Sequence, residues 1–219
     1  MRLLAVETAS SVCGVAITDG NKVIASREEV LEREHAEKLP GFCREVLNES
    51  GFSIHDFDGV VVSIGPGSFT GLRIGLSFAK GLAFSGDLAM IPVPTLLAMA
   101  ADCSFDGKTA DVCLRSHKEI VYHQQFSREG ENWLAENKPV CDKWGVVARR
   151  ISKESTIIHF GCEDILDQLQ WTAQVIDQPP SARSLARVAF HCYEKFSVTD
   201  YHQLEPDYIS SFKTGVQSW

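Results

Sequence analysis

The residues best suited to chemistry form one unbroken string, Gly65-Pro-Gly-Ser-Phe-Thr-Gly-Leu-Arg-Ile-Gly-Leu-Ser-Phe-Ala-Lys-Gly-Leu82, directly after the apolar run Val60-Val-Val-Ser-Ile64. A buried strand, a glycine-rich turn and then a helix is the order in which many folds present backbone amides to an anion such as a phosphate. Gly65 and Gly67 open conformations that a side chain resists, and Pro66 stiffens the turn between them. Ser68 or Thr70 is placed to cap the helix that follows. Inside that helix Gly71, Gly75 and Ala79 recur every four residues and line one face as a shallow groove. Each interior glycine costs a helix roughly 1 kcal/mol relative to alanine. The flat face is therefore expected to serve close packing, either within its own domain or against a partner.

Other chemistries lack their residue sets. The seven cysteines, at positions 13, 43, 103, 113, 141, 162 and 192, contain no Cys-x-x-Cys pair for zinc or for a redox dithiol. They read as small core residues in a reducing compartment. Ser68 follows Gly67, but Phe69 and Thr70 stand where a nucleophile elbow needs its closing glycine, so a peptidase has no activated serine here. His117 and His123 fall on neighbouring predicted strands without acidic partners placed by the sequence, and no metal site is expected. The formal charge of −8, from 29 acidic and 21 basic residues, argues against a broad phosphate-binding surface. Arg149-Arg150 and the Arg183/Arg187 pair are small clusters and read as solvated helix faces.

The elements that must hold the loop are legible from periodicity. Residues 2–8, 12–18 and 22–28 read as strands, with Thr18-Asp-Gly-Asn21 as a hairpin signal. Residues 34–50 read as a helix with Leu39, Phe42, Cys43, Val46 and Leu47 on its apolar face. Pro40 either starts or kinks that helix, and Gly51 closes it. The strand at 60–64, the glycine-rich helix to about 84, a strand at 90–93 and a helix at 96–103 complete a first α/β unit, residues 1–103. A second, more divergent unit follows over 104–219. It contains paired strands at 109–114 and 119–126, a short helix at 143–150, a strand at 156–160 and a helix at 181–196 capped by Ser181. That last helix is a candidate to pack back on the first unit. The start of the chain reads as a strand rather than a signal peptide, and no apolar run reaches the ~18 residues that span a bilayer. A cytoplasmic protein is expected.

The string at 65–82, together with Leu3-Leu-Ala-Val-Glu-Thr-Ala-Ser10, closely resembles the bacterial TsaB (YeaZ) family, densely over residues 1–100 and thinly beyond. The resemblance implies an actin-like (ASKHA, ribonuclease H-like) α/β fold of two small subdomains, each a mixed sheet flanked by helices. It also implies a non-catalytic partner of the TsaD transferase, which forms N6-threonylcarbamoyladenosine beside the tRNA anticodon. The TsaE ATPase would join the complex, and tRNA would be held by other subunits. On this view ATP or ADP enters only within the complex, and the chain alone pairs as a homodimer.

In actin-like folds the first hairpin turn lies against nucleotide phosphates, which makes Glu7, Ser10, Gly65, Gly67 and Ser68 the candidate anion loop. The family more often has aspartate at position 7. The alternative is that Thr8, Ser10 and Ser11 only satisfy backbone amides in a turn. The metal-binding histidine pair of the catalytic relatives is absent, since Leu39 follows His35-Ala-Glu-Lys; His35 reads as a surface or N-terminal helix residue. Of the segment at 114–122, only Glu119-Ile-Val-Tyr122 matches the family pattern, and Leu204-Glu-Pro-Asp-Tyr208 matches an acidic-Pro-x-Tyr element near its C-terminus. Leu39, Phe42 and Val46 on one helix, with Gly71, Leu72, Gly75, Leu76 and Ala79 on the other, are the expected partner interface. The rival readings are an ATP-dependent enzyme of the same fold and, less in keeping with the residues, a glycoprotease-like peptidase.

Overall fold

A computed structural model describes residues 1–103, 107–130, 132–152, 154–166 and 174–209. The first sheet has the order β3-β2-β1-β4-β5, built from β1 (Arg2–Glu7), β2 (Val12–Asp19), β3 (Lys22–Val30), β4 (Gly59–Gly65) and β5 (Ala89–Pro94). The first three strands are an antiparallel meander; β4 and β5 continue the sheet in parallel to β1. Two helices, α1 (His35–Ser50) and α2 (Phe69–Gly86), cover one face. Helix α1 runs through Pro40 and closes on Gly51 in the left-handed conformation, whose amide bonds the Leu47 carbonyl. Alternation along β1 sends Leu4 and Val6 under α1, while Leu3 and Ala5 go to the opposite face. With both faces covered, the strand reads as a continuous apolar run.

Helix α3 (Thr95–Asp102) joins the first sheet to the second. Its Ala98 packs with the first core, and its Leu96, Met99 and Ala100 pack with the second. The second sheet is ordered β11-β10-β6-β7-β8, from β6 (Thr109–His117), β7 (Ile120–Glu129), β8 (Asn132–Ala135), β10 (Thr156–Phe160) and β11 (Val175–Asp177). A further strand, β9 (Val140–Lys143), pairs with β7. The short helices α4 (Trp144–Val147) and α5 (Glu163–Leu166) cover the face of this sheet turned away from α3. The short strands β8, β9 and β11 and the helix α5 have no counterpart among the elements expected from periodicity.

The helix read at 181–196 is two helices, α6 (Ala182–His191) and α7 (Tyr193–Phe196), broken at Cys192. Helix α6 does not stay with the second sheet. Its Ala182, Leu185, Ala186 and Ala189 pack on Leu3, Ala5, Ala16, Val61 and Ile91 of the first. The small alanines let the helix lie close to the strands. Its N-terminus is tied down by Glu28 of β3: one carboxylate oxygen accepts from Ser181 Oγ at 2.9 Å and from the Ala182 amide at 2.6 Å, while the other meets Arg183 at 2.9 Å. A carboxylate there satisfies orphan amides and complements the helix dipole. Glu28→Ala is expected to lower unfolding stability by about 1–2 kcal/mol, read as an unchanged denaturant slope with an earlier midpoint. A midpoint that does not move would mean that the cap contributes nothing.

Candidate functional site

The loop at 65–68 and the turn at 7–10 meet at the N-terminus of α2, and they meet directly. The Ser68 amide donates to the Ala9 carbonyl at 2.7 Å, and Thr8 Oγ1 donates to the Gly71 carbonyl at 2.8 Å. A β-carbon at Gly67 would lie 2.4 Å from the Ala9 oxygen; at Gly71 it would lie 2.1 Å from the Thr8 oxygen, and at Gly75, 2.1 Å from Thr8 Oγ1. The glycine stripe thus lets a helix press on the end of β1. Gly65, at φ +119°, faces the Asp207 carbonyl, which a β-carbon would approach to 2.8 Å. Ser68 is the N-cap, its Oγ accepting from the Gly71 amide at 3.2 Å. Ser10 Oγ accepts from the Val12 amide at 3.0 Å.

Glu7 is fully buried beneath this contact. One of its oxygens accepts from the Ala9 amide and from Ser63 Oγ, and the other has no partner among the described residues. Burial pushes its carboxyl up to about 8, against the opposing pull of the Ala9 amide and the Ser63 hydroxyl. The amides of Ala9, Ser68 and Gly71 are thereby committed to the chain's own groups. A phosphate at these three amides would have to displace the bonds they already make, beside a carboxyl that would repel it when ionised. Of the five candidate anion-loop residues, Glu7, Gly67 and Ser68 meet at Ala9, while Ser10 bonds the Val12 amide and Gly65 faces Asp207.

Three further groups pin the loop. Tyr122 of β7 reaches across from the second sheet and donates to the Gly67 carbonyl at 3.2 Å. The Asp207 amide donates to the Ile64 carbonyl at 2.8 Å. Tyr208 lies on the Phe69 ring, centroids 4.9 Å apart, and its hydroxyl accepts from Arg73 Nε at 2.8 Å. These give the Glu119–Tyr122 and Leu204–Tyr208 segments a physical purpose: they hold the loop from outside. Sequence spacing offers no way to find Tyr122 as a contact of Gly67, since 55 residues separate them.

The expected partner face needs correction. Leu39, Phe42, Val46, Leu72, Leu76 and Ala79 are all at most 5% exposed and belong to the chain's own cores. Gly71 and Gly75 are buried against Thr8. Apolar periodicity identifies the buried face of a helix, and here the subunit itself buries it. What α1 and α2 offer outward is a groove of about 530 Å³ lined by Ala36, Pro40, Arg73, Ile74, Ser77 and Phe78, with Leu39 at its floor. His35 is also buried rather than on the surface, its Nε2 lying 3.3 Å from the Val12 carbonyl. His123 does have an acidic partner: Asp111 at 2.7 Å, in a buried pair that also takes the Ser155 hydroxyl. Arg115, in the divergent segment, is held by Asp164 at 2.6 Å and by the Gly161 carbonyl.

Over 158 residues the chain is 42% identical to the tRNA threonylcarbamoyladenosine biosynthesis protein TsaB of Escherichia coli K12, an alignment that takes in 71% of this chain and 68% of that protein. The chain belongs to the TsaB family. The Bacillus subtilis TsaB is 26% identical over 95% of this chain and 94% of its own length, so the likeness extends into the divergent second half. Residues 22–158 also match the family model described as TsaD, tRNA N6-adenosine threonylcarbamoyltransferase. In three dimensions, a Pseudomonas aeruginosa protein described as similar to peptidase YeaZ superposes with a TM-score of 0.82. It is 22% identical and covers 95% of this chain and 99% of its own. The two-sheet architecture of the TsaB family is the actin-like α/β fold. None of the helices among the described residues is long and apolar enough to cross a membrane.

Proposed function

We propose that this chain is a non-catalytic partner of the TsaD transferase in forming N6-threonylcarbamoyladenosine next to the anticodon of tRNA. The observation that carries this reading is the closed anion loop. One Glu7 oxygen, Ser10 Oγ and Ser68 Oγ bond backbone amides of the loop itself, so the place where an actin-like enzyme holds phosphate is built here as packing. The net charge of −8 supports leaving tRNA to other subunits. The match of residues 22–158 to the TsaD model supports pairing between two chains of like fold. TsaE joins that assembly, ATP or ADP enters only with it, and the protein works in the cytoplasm. Without the partner, two copies of the chain pair through the same surface.

The surface assigned to this pairing is the outward face of α1 and α2. Ile74 and Phe78 are only half-buried there, and Phe84 is 76% exposed at the end of α2. Ser77→Arg, at an exposed position in the groove, is expected to weaken association with TsaD by about 2 kcal/mol, roughly thirtyfold in Kd, while leaving the fold intact. Sedimentation of the mixed subunits reads the first effect and thermal unfolding the second. Unaltered association would remove this face from the interface. The functional test is reconstitution with tRNA, threonylcarbamoyl-adenylate, TsaD and TsaE, with and without this chain. Modified adenosine only in its presence, and none with it alone, supports the partner reading. ATP turnover by the isolated chain would replace it with the actin-like enzyme.

A further inference from the structure

Strands β10 and β11 run parallel, and their register sets His159 directly opposite Asp177. Paired residues of adjacent strands share a face of the sheet. Gly161, at φ +70°, turns the chain after β10 and starts the return that places Glu163 at the head of α5. Each of these three residues offers one ligand atom, and the three atoms lie within 4.8 Å of one another. His159 is 4% exposed on a strand, while Glu163 and Asp177 stand exposed at the rim. The neighbouring guanidinium makes its direct ion pair elsewhere. Arg115 gives both terminal nitrogens to Asp164, at 2.6 and 3.2 Å, and among the described residues neither Glu163 nor Asp177 has a salt bridge.

We propose that His159, Glu163 and Asp177 bind one divalent transition-metal ion. An imidazole with two carboxylates is a borderline-hard donor set suited to Zn²⁺, Co²⁺ or Mn²⁺, with water completing the coordination. The ion draws together two carboxylates that otherwise repel, and it ties the three-residue edge strand β11 and the one-turn helix α5 to strand β10. The site lies on the face of the second sheet turned away from α3, remote from the α1/α2 groove, and stands or falls independently of the partner reading.

The test uses the full chain, stripped with EDTA and titrated with CoCl₂. Expected are visible d–d bands that saturate at one ion per chain, no thiolate charge-transfer band in the near ultraviolet, and displacement by ZnCl₂. Asp177→Asn and Glu163→Gln, both at exposed positions, should each weaken binding by about tenfold or more. Both variants should melt like the wild type without metal and lose the upward shift in Tm that metal gives the wild type. Binding unaffected by either substitution, a thiolate band, or failure to saturate at one ion per chain would overturn the assignment.

Discussion

Gly71→Ala is expected to destabilise the subunit by about 1–3 kcal/mol, although alanine is the better helix former. The new methyl would sit 2.1 Å from the Thr8 carbonyl oxygen, a backbone atom that cannot swing aside as a long side chain can. Relief requires α2 to lift from the end of β1, which also breaks the bond from Thr8 Oγ1 to the Gly71 carbonyl. Overpacking of this kind costs about 1–3 kcal/mol, and the buried hydrogen bond about 1 more. Against this stands a helix-propensity gain of about 1 kcal/mol. Gly81 supplies the control on the same helix. It is exposed, and a β-carbon added there would have nothing within 4 Å, so Gly81→Ala should stabilise by up to about 1 kcal/mol. Opposite signs in denaturant unfolding are the expected result. Two substitutions of equal sign would mean that the turn at 7–10 is not held against α2.

Glu7 is expected to make stability fall as pH rises. Its carboxyl titrates near 8 in the folded chain against an ordinary value of 4.5, so between these limits the folded state holds a proton that the unfolded state has released. Stability then falls with rising pH across that window and levels off above about 8. The ceiling on the loss is about 5 kcal/mol, from 1.36 kcal/mol for each unit of displacement. Glu7→Gln keeps the shape of the protonated carboxyl and cannot ionise. It should flatten the profile between about pH 5 and 8 and raise the midpoint at about pH 8, both measured by denaturant unfolding at fixed ionic strength. A wild-type profile that rises through the same window would overturn the assignment of a neutral Glu7.

Much of the first sheet was legible because its signals are local. The hairpin signal at Thr18–Asn21, the apolar periodicity of α1, the capping Ser68 and the continuous apolar run of β4 each act within a few residues, and each has the structure its pattern predicts. The helix at 181–196 was legible in kind, with its break at Cys192 and its partner sheet hidden. Short edge strands such as β11 carry too few residues for any period to register.

The candidate site divides along the same line. By itself the sequence determined that something must approach α2 closely, because Gly71, Gly75 and Ala79 are spaced for one face and glycine is costly there. Only the tertiary structure decided what approaches: Thr8 from within the chain, so that residues expected to meet a partner form the core and the outward groove passes to Ile74, Ser77 and Phe78. Likewise, His159 and Asp177 are 18 positions apart and become neighbours solely through the register of two parallel strands. Helical and strand periodicities report which side of an element is apolar. They carry no information on which distant segment covers it, because that choice is made by the packing of whole layers.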